Sequence, residues 1–241
     1  MSPRARKIAH GELELALHEL RSTSRSGAPA DATPLVLVHA LEGSARDWLP
    51  HGEAILAAWR GPVFAIDLAG HGESDWRVGG AYTPELFAAD VDAVLAAIGR
   101  AALAGAGVGA YASLLVAAAR RDLVPGAVLL PGRGLAGGGA LPVASGRAPD
   151  FAPEVARDTR GGSSAQLASR AACDPLVRAC LEDVRPVDYA ESFAGAARAL
   201  LLAADGDDLP PWWRAVRGAP PAKAAPREAA AAVAALAEAI A

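Results

Sequence analysis

Between residues 11 and 20 leucine alternates with polar side chains: Leu13, Leu15 and Leu17 fall on one side of an extended chain, and Glu12, Glu14 and His18 on the other. A period of two sends successive side chains to opposite faces, so this segment is expected to be a half-buried strand that opens a sheet. Two short apolar runs follow behind prolines, Pro34-Leu-Val-Leu-Val-His39 and Pro62-Val-Phe-Ala-Ile-Asp67. Both are predicted strands, with a helical stretch over 53–60 between them. A strand, a helix and a strand in that order make a crossover unit, which implies parallel pairing.

The period then lengthens. Over 82–98, Leu86, Phe87, Val91, Val94, Leu95 and Ile98 form one helical stripe, and Asp90 and Asp92 mark the polar face. Thr83 is placed to cap this helix and Pro84 to occupy its first position, where a missing N–H costs nothing. A strand over 101–104 runs into a glycine-rich turn, and a helix over 108–120 and a strand over 126–130 follow. From 131 to 193 the alternation stops: three glycines at 137–139, scattered prolines and short helical pieces suggest an insertion instead of sheet. The pattern resumes with a strand over 199–203 and a helix over 226–241 carrying Val233, Leu236 and Ile240. The expectation is one α/β domain over 1–241, with residues 133–193 forming a small cap within it.

Composition agrees with a packed domain: 52% of residues are hydrophobic and 21% charged, which excludes intrinsic disorder. The formal net charge is −4, and no basic block is present beyond Arg4-Ala5-Arg6-Lys7, so a nucleic-acid partner is not expected. Residues 1–10 are basic but lead into the Glu/Leu alternation, unlike a signal peptide. The apolar stretch over 229–241 is shorter than the roughly 20 residues a membrane span requires, and Glu238 interrupts it. No membrane partner and a cytoplasmic location are therefore expected. The two cysteines, Cys173 and Cys180, do not make a disulfide framework, and their spacing of seven suggests buried thiols on one helix face.

Three turns at strand ends carry the chemistry. The first is His39-Ala40-Leu41-Glu42-Gly43-Ser44 with Trp48, the second Asp67-Leu-Ala-Gly70-His71-Gly72-Glu-Ser74-Asp75, and the third Gly105-Ala106-Gly107-Val108-Gly109. In this order they resemble the α/β-hydrolase superfamily in its esterase- and lipase-like branch, a likeness spanning residues 12–241. The resemblance implies an α/β-hydrolase fold: a mostly parallel central sheet flanked by helices, with a small cap insertion and no cofactor. The first turn is similar to the family's oxyanion segment, with Ala40 where glycine is usual. The second is similar to a long structural turn, in which Asp67 and His71 serve as scaffold.

The third turn stands where the family places G-x-S-x-G, a strained strand-to-helix elbow that lifts a serine above the sheet. The nucleophile position falls on Gly107, which has no side chain to attack with. Glycine also adopts the elbow's dihedrals without strain, so the turn can persist without a nucleophile. The same residues fit G-x-G-x-x-A, a dinucleotide fingerprint, but that motif needs an acid about 20 residues on, at the end of the next strand. That strand ends in Leu129-Leu130-Pro131 instead.

A serine triad also needs a histidine behind its acid to take the hydroxyl proton. All five histidines, His10, His18, His39, His51 and His71, precede the elbow. The acid has a candidate in Asp207, with Asp208 its neighbour, as a vestigial member without a histidine to orient. The 18 residues from Asp208 to Ala225 are few for a crossover helix and an edge strand, so a helix shortened to about 212–216, or lost, is expected.

What the resemblance leaves is backbone: the amides of Leu41 and Val108 stand where the family's oxyanion donors are. Loss of the serine side chain would enlarge the site slightly. Ala40, Glu42 and Arg133 complete the expected ligand-binding set, and no metal site is expected. The function this suggests is a non-hydrolytic homologue that binds or steers a small organic, carbonyl-containing molecule. Two alternatives stand beside it. One is an atypical hydrolase, lyase or cyclase using Glu42, Asp75, Asp207 or Asp208 with a bound water. The other is a partner-binding structural subunit that uses the tail helix or the Trp212-Trp213 pair.

Overall fold

The computed structural model describes residues 4–21, 32–79, 82–135, 173–181, 185–204 and 209–241. Eight strands form one sheet in the order β1-β2-β4-β3-β5-β6-β7-β8. They are β1 (Arg4–His10), β2 (Leu13–Arg21), β3 (Leu35–Val38), β4 (Val63–Ile66), β5 (Ala102–Ala106), β6 (Ala127–Leu130), β7 (Leu200–Leu202) and β8 (Ala222–Ala224). Strand β2 alone runs against the others, antiparallel to both its neighbours β1 and β4, with the β1–β2 hairpin turning at Gly11, while β3 through β8 pair in parallel. The outer edges are β1, where Arg6 and Lys7 are exposed, and the three-residue β8, where Lys223 is exposed.

The helices are α1 (Gly52–Ala58), α2 (Pro84–Ile98), α3 (Val108–Ala119), α4 (Val187–Ala196), α5 (Pro211–Gly218) and α6 (Ala229–Ala239). The central strands are apolar on both faces, which requires cover on both sides. Side chains of α2, α3, α4 and α5 make one buried cluster with the sheet, and those of α1 and α6 the other. Helix α2 begins as its sequence predicts: the Thr83 hydroxyl accepts from the Leu86 amide, and Pro84 is the first helical residue.

Three expectations are adjusted. Strand β1 carried no apolar alternation, and it forms by pairing along its whole length with Leu13 to Glu19 of β2. The stretch after 208 accommodates both a crossover helix, α5, and an edge strand, β8, because each is short. Helix α4, which begins within 133–193 and ends at Ala196, packs on α3 and α5, and most of the expected cap lies outside the described residues. The cysteines do not share a helix: half-buried Cys173 makes a β-bridge to His71, and buried Cys180 lies in a 3-10 turn (Pro175–Cys180).

Candidate functional site

Strand β5 and helix α3 meet at Gly107, whose dihedrals are φ 54° and ψ −120°. An L-residue pays strain in this region and glycine does not. The flanking glycines have a steric reason: a Cβ on Gly105 would lie 2.6 Å from Ser113 Oγ, and one on Gly109 would lie 2.6 Å from the Val38 carbonyl oxygen. Helix α3 thus sits directly on β3 and β5, with its first amide, Val108, facing the carboxyl ends of the parallel strands.

The Leu41 amide comes to the same place from behind β3. Both amides donate to one oxygen, the backbone carbonyl of Arg133, at 3.2 Å from Leu41 and 3.0 Å from Val108. The segment 131–135 lies against the elbow. A Cβ on Gly107 would fall inside contact distance of the Arg133 carbonyl oxygen, and 2.6 Å from the Gly132 carbonyl carbon. The room that a missing serine side chain would leave is therefore filled by backbone, contrary to the expected enlargement.

Gly132 and Gly134 allow this approach. A Cβ on Gly132 would be 2.7 Å from the Gly107 nitrogen and 3.0 Å from the Ala40 Cβ, and one on Gly134 would be 2.9 Å from the Val108 Cβ. Leu135 is fully buried, and its amide donates to the Cys180 carbonyl at 2.8 Å. Neither Gly132 nor Gly134 was singled out in the sequence; the only signal was that glycines flank Arg133.

Glu42 and Arg133 do meet, through the Arg133 side chain. The Glu42 carboxylate holds Arg133 at 2.6 Å through Oε2 and Arg178 at 2.6 Å through Oε1. Its side chain is 12% exposed, whereas the side chains of Arg133 and Arg178 are 63% and 56% exposed. Arg178, from the 3-10 turn, had no motif to announce it. Ala40 contributes its carbonyl oxygen, which accepts from His39 Nδ1 at 2.7 Å and from the Gly43 amide at 3.0 Å. Asp207 and Asp208 lie outside the described residues. Asp75 accepts from the Glu14 amide at 2.9 Å, pinning the second turn to β2.

That second turn is held together by its own polar groups. Asp67 accepts from the Ala45 amide at 2.6 Å and the Glu73 amide at 2.9 Å, and pairs with His18 at 2.9 Å. Burial opposes its charge, but these donors win and hold its carboxyl below the usual range; Asp67 in turn raises His18.

His71 accepts from the Glu42 amide at 3.1 Å through Nε2, so its Nδ1–H donates to the Ala69 carbonyl at 3.1 Å. His39 accepts from the Leu68 amide at 3.0 Å in the same way. Burial pushes His71 down to about 3 and lowers His39 as well, so both rings are neutral supports for the turns. Among the described residues, no group of three or more His, Cys, Asp or Glu side chains could hold a metal ion. A groove of about 300 Å³ lined by Ala88, Asp92, Leu115, Val116, Arg120 and Phe193 runs between α2, α3 and α4, away from the elbow.

No protein-family model matches the chain. Over 197 residues it is 35% identical to the dihydrolipoyllysine-residue acetyltransferase component of the acetoin cleaving system of Pseudomonas putida. The match covers 79% of this chain and 50% of that protein, so the chain spans about half the length of the curated relative it matches. Among solved structures, a hydrolase from Pseudomonas aeruginosa is similar at TM-score 0.63 and 18% identity, over 92% of this chain and 89% of that one. The thioesterase domain from the curacin biosynthetic pathway is similar at TM-score 0.64 and 15% identity, over 100% of this chain and 99% of that one. With the strand order and the elbow, these likenesses define the class: the chain has the α/β-hydrolase fold. No helix among the described residues is long and apolar enough to cross a membrane.

Proposed function

We propose that this chain is a non-hydrolytic member of the α/β-hydrolase superfamily that binds a small organic molecule through a carbonyl group at the Leu41 and Val108 amides. The observation that carries this reading is the Arg133 carbonyl oxygen, which accepts from both amides above a Gly107 that has no side chain. Two backbone donors converging on one oxygen are what a carbonyl ligand requires, and they work without a nucleophile. Acyl transfer by a triad would further need a base, and the chain carries no histidine beyond His71. A rearranged enzyme finds little support in Glu42 or Asp75, since Glu42 is held by two guanidinium groups and Asp75 accepts from the Glu14 amide of β2.

A fluorophosphonate probe is expected to leave the protein unlabelled, and labelling at one specific residue would overturn the reading. Acyl, aromatic and polyketide-like compounds are expected to include some that raise the melting temperature, because a ligand that binds only the folded state stabilises it.

A second reading, a partner-binding subunit, is favoured by two observations. The donor pair is already satisfied within the chain, and the Pseudomonas putida relative is named as a component of a larger system. The Trp212-Trp213 pair does not serve as its surface, since both residues are buried. Absence of a thermal shift with every compound would favour this second reading.

A further inference from the structure

We propose that residues 131–135 are a built-in occupant of the carbonyl site, and that the ion pairs of Arg133 and Arg178 with Glu42 set how firmly this occupant is held. A ligand carbonyl or carboxylate then competes with the chain's own backbone for the Leu41 and Val108 amides. The inference deepens the carbonyl-binding reading and rests on its donor pair.

Three features distinguish this segment from ordinary packing. First, a peptide carbonyl takes both donors, at 3.0 and 3.2 Å, in the position a ligand's oxygen would take. Second, the segment is seated on glycine: side chains at Gly107, Gly132 or Gly134 would collide with backbone or Cβ atoms across the contact. Third, among the described residues the non-glycine positions with positive φ are Glu42 at 61° and Leu135 at 58°. These are the two points where the segment is tied down, Glu42 by the Arg133 side chain and Leu135 by the Cys180 carbonyl. Left-handed backbone at non-glycine residues is strained and persists only where surrounding contacts enforce it. Here the enforcing contacts include two arginine side chains that are each more than half exposed, whose ion pairs water and salt can loosen.

The geometry therefore describes a held but releasable plug. When it withdraws, two amides of buried residues lose their acceptor together, and such an unsatisfied donor pair favours any small carboxylate or carbonyl compound that reaches it. The Arg133 and Arg178 charges exceed the single Glu42 charge, so the rim favours an anion.

The test is backbone amide hydrogen exchange by NMR on the full chain, comparing wild type with Glu42→Gln, which keeps the shape and removes both ion pairs. Leu41 and Val108 are expected to exchange about tenfold faster in the variant, the effect of losing two partly exposed pairs on one carboxylate. The amides of Ala45 and Ala69, held by Asp67 and Asp90 instead, serve as controls and are expected to keep their rates. Sodium acetate is expected to shift the Leu41 and Val108 resonances in the variant more than in wild type.

Unchanged exchange at Leu41 and Val108 overturns the proposal. So does equal acceleration at all four amides, which is plain destabilisation, and so does an absence of acetate shifts in the variant. If Glu42→Gln does not fold, Arg178→Gln removes one pair and should accelerate the same two amides by a smaller factor. Fluorophosphonate labelling of the wild type would end the non-hydrolytic reading while leaving these exchange rates as they are, so the two failures are distinguishable.

Discussion

Gly107 occupies a position where both its backbone and its surroundings exclude a side chain. The φ of 54° strains any L-residue, and the Gly132–Arg133 backbone fills the space a Cβ would take. Gly107→Ser is therefore expected to cost about 3 kcal/mol or more of folding stability, from overpacking against backbone plus dihedral strain. A denaturant melt measures this, and a midpoint equal to wild type would show that segment 131–135 moves aside freely. The glycine at the centre of the elbow was legible in the sequence, because the motif has fixed spacing. What packs against it was not, because the neighbour is backbone from 25 residues further along, and backbone leaves no side-chain signature. Arg133 was singled out for its charge, and the structure adds the role of its carbonyl oxygen.

Among the elements, those defined by period and by caps were the most legible. Thr83-Pro84 marked the start of α2, and the apolar runs behind Pro34 and Pro62 marked β3 and β4 to within a residue. Strand β1 was missed because one buried residue, Ile8, in a charged edge strand makes no pattern, and α5 was underestimated because length alone argued against it. The short α5 is anchored by Trp212 and Trp213, which are 2% and 0% exposed. The Trp212 ring meets Tyr111 of α3 edge-on, with centroids 5.0 Å apart, and meets Trp213 at 5.1 Å. An eight-residue helix has too few hydrogen bonds to hold itself, so these rings hold it. Trp212→Ala is expected to lower unfolding free energy by about 3–5 kcal/mol, the range for emptying an aromatic site in a core. Chemical denaturation followed by circular dichroism checks this, and a loss under about 1 kcal/mol would show that α5 is held by other contacts.

At the scale of the whole molecule, stability is tied to pH through the buried histidines. His71 has a folded pKa near 3 against an ordinary 6.5, so below pH 6.5 the unfolded chain binds a proton that the folded chain refuses. Stability carried by the neutral ring is present above pH 6.5 and lost as the pH falls toward 3. Asp90, pushed up to about 7 by burial, works with the opposite sign between its ordinary value and 7, and His18, raised by Asp67, works with that same sign above its ordinary value. Comparison with a variant isolates one group: between pH 7 and pH 5, wild type should lose about 2 kcal/mol more than His71→Asn. Parallel pH profiles for the two proteins would show that the His71 ring is protonated without disturbing the fold. The sheet that these turns join ends on one side in β1, with exposed Arg6 and Lys7, and on the other in β8, with exposed Lys223. An incoming strand would have to strip water from those cations, and β8 offers only three residues of template. A parallel sheet with apolar faces is a hazard for fibre-like stacking during folding, and here charge at one border and brevity at the other discourage its continuation from one copy of the chain to the next.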